Sequence, residues 1–133
     1  MNREPRIVVA ATFTAEPLED SLGFWIRELG IPARIEFAPY NQVFQQLLDP
    51  SSIVSTNQNG INIVLIGLDD WQGGDSDKET TGEDAAYHAI ERNIRDFVFA
   101  LSEALRRATA PYLVCLCPAS PLPADDPGRA LDL

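Results

Sequence analysis

Between Ile61 and Leu68 the chain runs Ile-Asn-Ile-Val-Leu-Ile-Gly-Leu, almost wholly apolar and rich in β-branched residues, and then turns acidic at Asp69-Asp70 before Trp71. Asn59-Gly60 precedes this run and Gly73-Gly74 follows it. A short apolar segment bounded in this way reads as a strand buried on both faces. Helices must then lie above and below the sheet, so the run demands a parallel α/β core. In such a core the carboxyl ends of the central strands are where ligands and chemistry gather.

The rest of the chain supplies the partners. Arg6–Thr12 is a second continuous apolar strand. It leads through Phe13-Thr14-Ala15-Glu16-Pro17 into a helix, with Pro17 suited to the first turn and Glu19 and Asp20 near the positive end of the helix dipole. Leu18, Leu22, Trp25, Ile26 and Leu29 are spaced to share one helix face. Gly30 ends that helix and Pro32 prevents its resumption. Ala33–Phe37 alternates as a shorter strand, and Gln42–Leu48 is a short helix with Val43, Phe44, Leu47 and Leu48 inward. The polar stretch Ile53–Asn59 reads as loop.

After Trp71, Gln72–Gly82 is an acidic loop. Thr81-Gly82-Glu83-Asp84 resembles a capping box, with Thr81 as the cap. A helix of about 25 residues follows, carrying Ala86, Ile90, Ile94, Phe97, Val98, Leu101 and Leu105 on one stripe and Arg106 and Arg107 at its negative end. Ala110-Pro111 breaks it, and Tyr112–Cys117 is a fourth strand.

Strand and helix thus alternate, and right-handed crossovers place the strands in the order 2-1-3-4, a flavodoxin-like three-layer sheet over residues 1–117. The remainder, 118–133, holds four prolines in sixteen residues and reads as a tail or linker. The fourth strand is an edge of unbroken apolar residues, whereas natural edges carry charge, proline or a cover. The architecture therefore reads as cut short, its edge to be covered by a helix, by further chain, or by a homo-oligomer paired through the strand.

Composition excludes several classes of function. Twenty acidic residues against ten basic give a net charge of −10, with no basic cluster for a nucleic-acid backbone. No apolar run approaches the roughly 20 residues a membrane helix needs, and the start of the chain has no secretory signature, so a cytoplasmic protein is expected. Cys115 and Cys117 point to one face of a strand, poorly placed to pair with each other, and read as reduced thiols. Together with the single histidine they do not make a zinc site.

The loops at the strand ends hold the candidate chemistry. Thr12 and Thr14 could stand in a nucleophile's place and Asn41 could donate to an oxyanion. Tyr40, Asp69, Asp70, Trp71 and Ser120 are candidate substrate- or partner-binding residues on the same rim. A base is missing: His88 lies in the first turns of the long helix and reads as a surface or half-buried helix residue. Two adjacent carboxylates without further ligands do not specify a metal, and neither Gly-x-Gly-x-x-Gly nor a phosphate-binding Walker loop follows the first strand. No metal or cofactor is expected.

Three blocks resemble a known family. Ala11-Thr12-Phe13-Thr14-Ala15-Glu16-Pro17-Leu18, Glu36–Ser52 (with Phe37-Ala38-Pro39-Tyr40-Asn41-Gln42 its most specific part) and Val64–Trp71, supported by Glu28-Leu29-Gly30 and Tyr112–Pro118, are similar to the amino-terminal SGNH-hydrolase-like domain of FkbH-like proteins, subfamily IIIC of the haloacid dehalogenase superfamily. The resemblance spans about residues 6–121. It implies a place in polyketide or non-ribosomal peptide assembly lines, where family members load a glyceryl unit onto a carrier-protein thiol. The phosphatase domain and the Asp/His-bearing loop that the resemblance also implies do not occur in these 133 residues, and Thr12-Phe13-Thr14 occupies the place of the hydrolase serine. The expectation is a non-catalytic module that docks an acyl or peptidyl carrier protein or adjoining synthetase domains. An SGNH-like acyl or glyceryl transferase or esterase using Thr12 or Thr14 is the alternative.

Overall fold

The computed structural model of the chain describes residues 4–72 and 83–118, the side chains of residues 83–86 excepted. The Thr81 cap, the side chains of Asp84 and Ala86, Ser120 and the proline-rich tail from residue 119 lie outside the described residues. The elements run β1 (Arg6–Ala11), α1 (Leu18–Glu28), β2 (Arg34–Phe37), α2 (Val43–Leu48), β3 (Gly60–Gly67), a 3-10 turn (Leu68–Trp71), α3 (Glu83–Arg107) and β4 (Tyr112–Cys117). All pairings are parallel and the sheet order is β2-β1-β3-β4. The flavodoxin-like order expected from right-handed crossovers is the one observed.

Because successive strand residues point to opposite faces, β1 and β3 serve two cores at once. Val8, Ala10, Val64 and Ile66 face α2 and α3, joined by Val43, Leu47, Trp71, Phe97, Ala100 and Ala104. Val9, Ala11 and Leu65 face α1, where Leu22, Phe13 and Phe37 pack against them. This two-sided burial is why both strands read as continuous apolar runs.

Three expectations are corrected. Trp25 and Leu29 do not share the buried face of α1: they are 59% and 66% exposed, and no α1 residue is fully buried. The reason is coverage: among the described residues α1 is the only helix on its side, and a narrow line centred on Leu22 meets the sheet. Trp25 instead meets Phe24 edge-on, with ring centroids 5.3 Å apart. On α2, Leu48 is exposed and Gln46 is buried. On α3 the buried line is Ala89, Phe97, Ala100 and Ala104, while Ile94, Val98 and Leu105 are exposed. At about 100° per residue, the apolar stripe is wider than the arc that sheet and α2 cover, and the small alanines take the close contacts.

The segment after α2 is a loop, yet it is part of the core. Ser52, Val54 and Asn57 are buried, as are Gln46 and Asn62. Asn57 Nδ2 donates to the Arg6 carbonyl (3.1 Å) and to Asn62 Oδ1 (3.1 Å), and Asn62 Nδ2 donates to the Val54 carbonyl (3.0 Å). The Ser52 hydroxyl donates to the Gln46 carbonyl (2.6 Å), and Gln46 Oε1 accepts from the Val54 N–H. Buried loop backbone must find partners, and among the described residues no buried side-chain nitrogen or oxygen lacks one. Arg107 ties α3 to α2 by donating to the Leu47 carbonyl at 2.7 Å. At the head of the loop the Ser51 N–H and hydroxyl donate to Asp49 Oδ1, and these bonds hold the Asp49 carboxyl below its usual pKa.

The two sheet edges differ. β2 carries Arg34 and Glu36, and Glu36 pairs with Arg34 (2.7 Å) and with Arg6 of β1 (3.0 Å). β4 carries no charge at all. Cys115 and Cys117 are free thiols. Among the described residues no helix is long and apolar enough to cross a membrane.

Candidate functional site

Strands β1 and β3 run side by side, so their carboxyl ends deliver Thr12 and the Leu68–Trp71 turn to one place. The Thr12 N–H continues the ladder by donating to the Leu65 carbonyl (3.1 Å), which holds the residue one step beyond β1 in strand-like register. Its hydroxyl is thereby turned inward. Thr12 is 1% exposed, its Oγ1 donates to Asp70 Oδ2 at 2.7 Å, and the same oxygen accepts from the Gly67 N–H at 2.9 Å.

The 3-10 turn brings Asp70 back over the strand end, and Gly67 is what admits it. A Cβ at residue 67 would lie 2.7 Å from Asp70 Oδ2, 3.3 Å from Phe13 Cδ1 and 3.5 Å from Thr12 Oγ1. A glycine inside a strand marks such a close approach, so the sequence did contain a signal for this residue.

The chemical consequence is that the Thr12 hydroxyl is committed. Its proton is held by the carboxylate and a lone pair by the amide, in a bond strengthened by the charge on Asp70. A nucleophile must present its oxygen to a substrate beside a group able to take the proton. Thr12 is sealed from solvent, and His88 is exposed on α3 and is not among its partners. Thr12→Val removes the hydroxyl at nearly constant shape, leaving the Gly67 N–H without its acceptor. We expect a loss of about 1–3 kcal/mol in urea unfolding, with Thr12→Ser recovering most of it; an unchanged midpoint for Thr12→Val would refute the structural role.

The remaining rim residues spread out from this pair. Thr14 is exposed in the loop before α1. Tyr40 is 63% exposed in the β2–α2 turn, and Asn41 beside it sits at φ 53°, a left-handed conformation that asparagine tolerates. No hydrogen bond among the described residues joins Thr14 or Asn41 to the Thr12–Asp70 pair. Asp69 is exposed, and its Oδ1 accepts from Gln72 Nε2 at 3.5 Å. Trp71, 4% exposed, packs between Phe44 and Phe97, with centroids 5.9 and 5.6 Å away, and its carbonyl accepts from Asn93 Nδ2. Among the described residues no group of three or more His, Cys, Asp or Glu side chains could hold a metal ion.

A second surface lies on the β2 side. Glu19, Asp20, Phe24, Ile26, Arg27 and Arg34 line a groove of about 610 Å³ between α1 and β2. Exposed Trp25, Leu29 and Ile31 adjoin it in sequence. Arg27 and Arg34 therefore share one surface, while Arg92 and Arg95 belong to α3 on the opposite face of the sheet. No protein-family model matches the chain, and no curated protein matches it.

Proposed function

We propose that this chain is a non-catalytic docking module of the FkbH-like kind, which positions a carrier-protein-bound intermediate for chemistry performed elsewhere in a polyketide or non-ribosomal peptide assembly line. Two observations support the non-catalytic half of the reading: in the Thr12-Phe13-Thr14 segment that takes the place of the hydrolase serine, the Thr12 hydroxyl is buried and bonded on both sides, and no base among the described residues is hydrogen-bonded to the exposed Thr14. The resemblance of residues 6–121 carries the pathway. A phosphopantetheine carrier is usually acidic, and the α1–β2 groove offers Arg27 and Arg34 beside Phe24, with exposed Trp25 packed edge-on against Phe24. Cation and aromatic together are the composition of an interface anchor.

The direct test is titration of the purified chain with a glyceryl-loaded carrier protein in buffers of rising salt. Binding that weakens with salt, and falls at least tenfold in Arg27→Glu or Trp25→Ala, is the expected result. Unchanged affinity in both variants removes this surface from consideration. The second reading, an acyl or glyceryl transferase, draws on a hydroxyl–carboxylate pair of the rim, Thr12 and Asp70 at 2.7 Å. Turnover of a glyceryl thioester or an aryl ester that disappears in Thr12→Val would replace the docking reading with that one.

A further inference from the structure

Among the described residues no strand pairs with the outer edge of β4, and this edge and the exposed stripe of α3 lie on the same flank. Arg107 reaches the Leu47 carbonyl of α2, which marks the side of α3 that faces α2. Measured from Phe97 at about 100° per residue, Ile94, Val98 and Leu105 fall on the opposite side of the buried line from Arg107. With Leu101 they form an apolar row at steps of four, three and four, the spacing of a coiled-coil seam. α2 joins β2 to β3 and α3 joins β3 to β4, so the flank of α3 away from α2 is the flank of the β4 edge.

The edge has a centre. Asn62 N–H donates to the Pro111 carbonyl, and Asn62 pairs with Tyr112. The alternation of a parallel ladder then directs the backbone groups of Leu113 and Cys115 at β3, and those of Tyr112, Val114 and Leu116 outward. Pro118, the next outward position, has no N–H to offer. The outward donors and acceptors of β4 are thus arranged symmetrically about Val114.

We infer that a second copy of this chain pairs here, β4 antiparallel to β4 about a two-fold axis through Val114, with the α3 rows of the two copies packed against each other. In that register Val114 exchanges both backbone bonds with its counterpart, and Tyr112 does so with Leu116. Leu113, 48% exposed, comes to lie opposite Cys115, and Leu116, 63% exposed, opposite Tyr112.

The helices fit the same axis. A crossover helix lies over the two strands it joins, half a strand spacing inside β4, and the axis lies half a spacing outside. The two α3 helices are then two spacings apart, about 10 Å, against roughly 8–10 Å for packed helices. Charge selects this surface for self-contact: a chain of net charge −10 meets its copy without opposed carboxylates only where it carries none, and β4 and the α3 row carry none. A lone foreign strand would satisfy the edge and leave the α3 row bare.

The contact lies away from the α1–β2 groove, so this assembly stands or falls independently of carrier docking. Equilibrium sedimentation of the chain at tens of micromolar is the test. A dimer is expected, and Val114→Pro, which deletes an N–H unused in the protomer's own sheet, and Val98→Glu, on the exposed row, are each expected to give monomers with unchanged far-UV circular dichroism. In a Cys117→Ser background, Leu113→Cys is expected to form an intersubunit disulfide with Cys115 on mild oxidation, because residues opposed in a non-hydrogen-bonded pair have Cα atoms about 4.5 Å apart, within bridging range. A monomeric wild type, a dimer indifferent to both Val114→Pro and Val98→Glu, or a dimer that Leu113→Cys does not cross-link would each overturn the inference.

Discussion

Gly60→Ala is expected to destabilise the fold by at least about 4 kcal/mol, a large fraction of the roughly 5–15 kcal/mol that keeps a domain folded. Gly60 opens β3 at φ 128°, outside the range that L side chains adopt. An added Cβ would lie 2.0 Å from the Arg6 carbonyl oxygen, 2.7 Å from its nitrogen and 2.8 Å from its carbonyl carbon. These are backbone atoms, so no rotamer change relieves the overlap. The strand cannot slide away, because Arg6 is registered opposite Gly60 and its N–H is held by the Asn59 carbonyl at 2.8 Å. Gly30 is the control. It lies at φ 67° with nothing within 4 Å of an added Cβ, so Gly30→Ala should cost only about 1–2 kcal/mol of backbone strain. Urea unfolding of the two variants decides the matter; a Gly60→Ala loss no larger than that of Gly30→Ala would contradict the close approach described here.

Trp71→Ala is expected to cost about 3–5 kcal/mol. The indole closes the core at the end of β3, between Phe44 of α2 and Phe97 of α3, and so ties three elements together through aromatic rings. Its removal leaves a cavity in surroundings fixed by strands on one side and two helices on the other. Trp71→Phe keeps much of the packing and should lose clearly less. The pair of variants also separates two roles for the residue, since a side chain that served mainly to stack on a ligand would change binding and leave the unfolding midpoint near its original value. A Trp71→Ala midpoint indistinguishable from wild type would remove the packing role.

The alternation of strands and helices and the order of the sheet were legible because continuous apolar runs between turn residues have few physical solutions, and crossover handedness removes most of the remainder. The boundaries of α3 and β4 followed from Pro111 and from the change of period on either side of it. The direction of helix faces was less legible. A stripe such as Ile94, Val98, Leu101 and Leu105 states that a face is apolar, and whether it meets a neighbour depends on how many helices share that side of the sheet. The polar segment 53–59 is a loop, as its composition signals, but composition does not say that it is buried: Asn57 and Asn62 bond to each other in the interior and satisfy the backbone of Arg6 and Val54.

At the rim, the sequence by itself identified which residue types gather at the strand ends, since the parallel topology assigns Thr12, Asn41 and Asp70 to one edge. What the hydroxyl of Thr12 does follows from the packing of distant segments. Its commitment depends on a 2.7 Å bond to Asp70, fifty-eight residues along the chain, and on the missing Cβ of Gly67 that lets the carboxylate return over the strand. Hydrophobic pattern is a property of neighbours in sequence and sets the layers. The state of a hydroxyl is set by the atoms within hydrogen-bond reach, and those are chosen by how distant segments pack.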